Sequence, residues 1–190
     1  MQANEVVIEV GRTSFSGQTT NTKKYSIRKI IVHPDFVHPE PKYNIAILKT
    51  DKPIEFSSYV HPICLTDDMS KFNKSQYGVA PAFTYLVENR TEDVIKTVYL
   101  PIIYDNAVCI EQSPNYSKVI TENNFCAGSL NLESHLCRGS SGTSLSLIEE
   151  TPIKYIWYFK GMVVAGLSCG HGFILFLDIF KFVDWINENK

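Results

Sequence analysis

The period of the apolar residues is the tightest constraint on the fold. Short β-branched runs, each closed by turn residues, recur along nearly the whole chain. Tyr25–His33 reads Tyr-Ser-Ile-Arg-Lys-Ile-Ile-Val-His and Pro34 closes it. Glu5–Gly11 alternates apolar and polar residues, and Thr13–Lys24 between the two runs is a polar loop. A second loop runs from His33-Pro34-Asp35-Phe36 to Pro41-Lys42, and Tyr43–Lys49 then sets an apolar strand directly after one polar side chain, Asn44. Gln76–Phe83, Val94–Pro101, Gly142–Ile148 and Ile153–Ala165 read as further strands, with Pro101 closing its own and Glu149-Glu150-Thr151-Pro152 forming a turn. Two segments read as helix. Asp105–Ser113 is one, with Asp105 or Asn106 as N-cap. The other is the chain end, where Ile179, Phe182, Val183 and Ile186 recur at 3/4 spacing. The pattern is all-β with a C-terminal α-helix.

A chain of 190 residues forms one domain with a sizeable core. Its formal net charge of −2 favours neither nucleic acid nor an anionic membrane surface. No apolar run has the length of a membrane-spanning helix. The five Cys show no metal-ligand spacing, so no metal and no other cofactor is expected. Three glycosylation sequons begin at Asn73, Asn89 and Asn115. Together with the Cys they point to an oxidising, secreted setting. Met1-Gln2-Ala3-Asn4-Glu5 has none of the regions of a signal peptide, and the odd Cys count leaves one thiol over. Both lead to the expectation that the front of a longer protein lies outside this sequence.

Several motifs then fall in a fixed order. They are Asn44-Ile45-Ala46-Ile47-Leu48, Val60-His61-Pro62-Ile63-Cys64-Leu65, Phe125-Cys126-Ala127-Gly128, Cys137-Arg138-Gly139-Ser140-Ser141-Gly142, a Gly161…Gly166…Cys169-Gly170 run and the final helix. In this order the chain, from about Val6 to its end, resembles the chymotrypsin/trypsin-like serine proteases (peptidase S1). It is similar within them to the non-catalytic homologues of arthropods. The resemblance implies a double antiparallel β-barrel in a single domain. Residues 1–65 would be the remnant of an incomplete first barrel, 66–176 the second barrel and 177–190 the C-terminal helix.

The resemblance also assigns roles. Ser141 stands at the nucleophile position, with the Gly139 and Ser141 amides at the oxyanion positions. Asn44 replaces the acid of the triad. An exchange of Asp for Asn at such a position costs about 10⁴ in kcat, and the simplest reading of Asn44 is a buried, hydrogen-bonded residue at a strand start. The family's base belongs to a Thr-Ala-Ala-His-Cys segment that this chain lacks. None of His33, His38, His61, His135 and His171 has that context. Ser140 replaces the Asp that would meet the new N-terminus on activation. His135 would form the base of the specificity pocket, Val164, Ala165 and Gly166 its wall, and Phe173 and Ile174 would fill it. Cys109 would pair with Cys126, and Cys137 with Cys169. Cys64 would be unpaired, or bonded to a segment outside the chain.

Two functions stay open on this reading. The first is a secreted, catalytically inactive homologue that works by binding an extracellular protein, a protease or its substrate, as cofactor or decoy in a proteolytic cascade. The alternative is an active serine endopeptidase whose His-bearing N-terminal part is missing from this sequence.

Overall fold

A computed structural model describes residues 2–14, 20–72, 77–82, 95–133, 136, 139–166 and 171–190. Three strands form a first sheet: β1 (Val7–Val10), β2 (Lys23–Val32) and β3 (Ala46–Thr50), in the antiparallel order β1-β2-β3. Six more close into a barrel in the order β4-β5-β6-β9-β8-β7. These are β4 (Tyr77–Ala82), β5 (Lys96–Ile103), β6 (Asn124–Glu133), β7 (Ser144–Glu150), β8 (Tyr155–Ala165) and β9 (His171–Asp178). Closure needs one long-range pairing, Val79 of β4 with Ser146 of β7. The fold is therefore mostly β, with one closed barrel and one partial sheet.

The barrel fills from alternate positions, as a pleated strand requires. Val98, Leu100 and Ile102 of β5 are buried, whereas Thr97 and Tyr99 are exposed. β6 departs from this alternation, and Asn124–Gly128 are all buried. Its outer side is covered by α1 (Asn106–Gln112), tied to it by the Cys109–Cys126 disulfide. The core holds Phe72, Leu136, Leu145, Leu147, Phe176 and Phe180 among others. Gly161 lies here because a Cβ would come 2.6 Å from the Phe125 ring.

Two expectations need correction. Pro101 does not close its strand, because β5 runs on to Ile103. Pro101 faces Tyr77 of β4, and the next residue, Ile102, pairs with Ala127 of β6. The missing N–H thus falls where the strand passes from one neighbour to the other. Nor is the terminal segment one regular helix. Ile179–Phe182 is a 3₁₀ turn whose N-cap, Asp178, accepts from the Phe180 amide, and α2 (Val183–Asn189) follows. At the first helix Asp105 is the cap, accepting from the Ala107 amide at 2.9 Å.

The terminal helix joins sheet to barrel. Ile45, which precedes β3, packs with Leu177, Ile179 and Phe182. His33, just after β2, stacks on Tyr43 with centroids 4.8 Å apart and meets Trp185 of α2 at 4.8 Å.

Candidate active site

The Ser141 loop leads into β7. Leu136, fully buried in the barrel core, anchors the chain ahead of it. Gly139 (φ +96°) and Gly142 (φ +85°) adopt the left-handed region, and nothing stands within 4 Å of a Cβ at either. Backbone conformation, not crowding, selects glycine at both. The Thr143 amide donates to the Ser140 carbonyl at 3.0 Å, closing the turn. The Gly142 amide donates to Val163 O and the Val163 amide to Thr143 O, each at 2.9 Å, so the loop is stitched to β8. Ser141 is exposed on this fixed turn, and Ser140 beside it is buried. His135, Cys137, Arg138 and Cys169 lie outside the described residues, and so does the expected Cys137–Cys169 pairing.

Asn44 is not buried as expected. It is exposed, and its side chain makes no hydrogen bond with the described residues. The turn around it explains this. Tyr43 takes φ +57°, and the Ile45 amide reaches back to Tyr43 O at 2.7 Å. Tyr43 and Ile45 both join the cluster under α2, which leaves the residue between them facing out. His33 sits among Tyr43, Phe182 and Trp185, and its Nδ1 accepts from the Asp35 amide at 3.2 Å. His38 and His61 are exposed, and His171 opens β9.

The expected slot lies between the ends of β8 and β9. Phe173, Val164 and Ala165 all pack against the cluster of Cys109, Cys126 and Leu175. Ile174, the next residue along the strand, points to the opposite face and is buried in the barrel core. It therefore does not fill the slot. A ring that sequence reasoning did not single out lies there instead. Tyr116 donates its hydroxyl to Phe173 O at 2.7 Å, and burial pushes that hydroxyl's pKa up. A Cβ on Gly166 (φ +88°) would stand 1.9 Å from the Tyr116 oxygen, so glycine is required there twice over. Tyr116 could have been noticed as the one aromatic residue between Cys109 and Cys126 that is not next to a Cys.

Cys109 and Cys126 are bonded, with Cα atoms 6.4 Å apart, and they pack under Leu175. Cys64 is free and exposed. Its segment is joined to β8, the Cys64 amide donating to Trp157 O and the Phe159 amide to Cys64 O, both at 3.0 Å. Asn115 is exposed on a 3₁₀ turn, Pro114–Lys118, whereas Asn73 and Asn89 lie outside the described residues. Among the described residues no group of three or more His, Cys, Asp or Glu is placed to hold a metal ion. Among them, too, no helix is long and apolar enough to cross a membrane.

Comparison with known proteins agrees with this geometry. The chain is 25% identical over 189 residues to the mouse (Mus musculus) complement C1r-A subcomponent, covering 97% of this chain and 26% of that protein. It is 31% identical over 180 residues to mouse transmembrane protease serine 11E, covering 91% of this chain and 41% of the relative. The chain thus spans well under half the length of these relatives. The model of the trypsin family matches residues 2–186, so the chain belongs to the trypsin family.

Proposed function

We propose that this chain is a non-catalytic member of its family that works by binding another protein in an extracellular proteolytic cascade. The observation that carries the reading is Asn44. The acid position holds an uncharged amide where the family's mechanism needs a carboxylate. Two further features support it. Tyr116 and Phe173 occupy the region between the ends of β8 and β9, and Ser140 carries no charge. Without a carboxylate to stabilise the imidazolium, even a well-placed base would activate the serine only weakly. The barrel and its adjoining sheet then act as a rigid carrier for binding loops. Secretion and glycosylation at Asn73, Asn89 and Asn115 belong to the same reading, as does the division into a first-barrel part (1–65), a second barrel (66–176) and a terminal helical part (177–190).

One observation favours the rival reading of an active endopeptidase. The loop bearing Ser141 keeps its two left-handed glycines and leaves the hydroxyl open to solvent. A fluorophosphonate probe separates the two. The natural full-length product, secreted from eukaryotic cells, is treated with the probe and the adducts are mapped. The expected result is no adduct on Ser141. Labelling that Ser141→Ala abolishes would overturn the proposal.

A further inference from the structure

We propose that the outer face of the β1–β2–β3 sheet docks an acidic, aliphatic segment of a partner protein. The inference stands apart from the question of catalysis, because this face can bind whether or not Ser141 reacts. Charge is unevenly spread along the chain. Residues 23–52 carry seven Lys and Arg against three Asp and Glu, in a chain whose net charge is −2. The register gathers much of this charge on one side. Tyr25 and Ile27 are buried on the inner face. The outer face therefore shows the pairs Glu9 with Lys24 and Val7 with Ser26, and the register shift between Ile27 and Lys29 brings Lys29 with Lys49 and Ile31 with Ile47 to the same side.

The Lys29–Lys49 pair points to a ligand. Like charges directly opposite across a ladder repel, and a sheet normally avoids them. Lys23 is answered by Glu55 and Lys24 by Glu9. Arg28, Lys29, Lys49 and Lys52 have no ion pair among the described residues. Of these, Lys52 lines a cleft of about 540 Å³ together with Lys23, Lys24, Asp51 and Glu55. An incoming carboxylate between Lys29 and Lys49 would turn their repulsion into two attractions.

The apolar residues between the charges choose the kind of partner. Val7 is 57% exposed, and Ile31 and Ile47 are half-buried on the same face. A peptide that alternates carboxylates with aliphatic side chains meets both kinds of position. A sulfated glycan would neutralise the lysines but would leave the aliphatic positions uncovered.

The test measures fluorescence anisotropy of a labelled peptide of alternating glutamate and leucine on the full chain, beside a labelled heparin oligosaccharide. The expected result is peptide binding that weakens with salt and falls about tenfold or more in the double variant Lys29→Glu, Lys49→Glu. Lys154→Glu, in the β7–β8 turn, should bind like the parent. Lys29→Glu alone should raise the melting temperature, because it sets opposite charges across the ladder, and it shows that the substitutions leave the fold intact. Equal binding by parent and double variant overturns the proposal. So does binding of the oligosaccharide without the peptide, and so does binding of neither.

Discussion

Lys160 of β8 and Asp178 at the end of β9 form an ion pair inside the barrel, with Nζ 2.7 and 2.8 Å from the two carboxylate oxygens. Lys160 is only 2% exposed. Its ammonium also lies over the rings of Phe180 (4.5 Å) and Phe125 (5.1 Å). Asp178 caps the 3₁₀ turn as well, so one carboxylate holds both a buried cation and the start of the terminal helical segment.

Breaking this pair from one side should be costly. Asp178→Ala strands a buried ammonium and is expected to lose about 3–5 kcal/mol in urea unfolding. Replacing both partners with apolar residues, Lys160→Met with Asp178→Leu, should cost much less. Equal losses in the single and double variants would contradict this account.

The same lysine gives a pH signature. Burial, the largest influence, pulls its pKa below the ordinary 10.5, against the pull of Asp178. Between the lowered folded value and 10.5 the unfolded chain holds more protons than the folded one. This group's contribution to stability therefore rises with pH across that window. Unfolding curves of the parent and Lys160→Met, compared from neutral pH to above 10.5, should differ by that rising component. A pH-independent difference would remove the assignment.

Tyr116 and Gly166 should be coupled. Gly166→Ala forces a Cβ against the Tyr116 oxygen and strains a residue at φ +88°. A loss of about 2 kcal/mol or more is expected. Tyr116→Phe alone gives up the bond to Phe173 O and should cost about 1 kcal/mol. The double variant should be more stable than the sum of the two losses implies, because the clashing oxygen is gone. Strict additivity in thermal melts would show that the contact is unimportant.

Reducing the one described disulfide should weaken the barrel's outer layer. The bond closes a loop across a separation of 17 residues, for which about 3 kcal/mol is expected. Cys109→Ser with Cys126→Ser should lower the denaturation midpoint accordingly. Cys64→Ser, at an exposed free thiol, should leave it within about 0.5 kcal/mol.

Much of the architecture was legible because strand period and motif order are local or sequential signals. The helix cap, narrowed to Asp105 or Asn106, could be read that way, and the family resemblance implied the Cys109–Cys126 pairing. What escaped depends on which face a residue takes or on a distant partner. Phe173 and Ile174 looked equivalent until the pleat sent them to opposite sides. Asn44 looked buried because its strand is apolar, and only the left-handed turn at Tyr43 puts it outside. Lys160 is one charge in an apolar run, and nothing nearby in sequence announces Asp178. Pro101 read as a stop because a single strand does not show where its neighbours change.

The stacking of His33 on Trp185 bears on the order in which the molecule is made. The first sheet emerges from the ribosome well before the aromatic ring that braces it. The early strands lack that brace until Trp185 has been made. Loss of the Trp185 ring would therefore be felt far back in the chain, at His33.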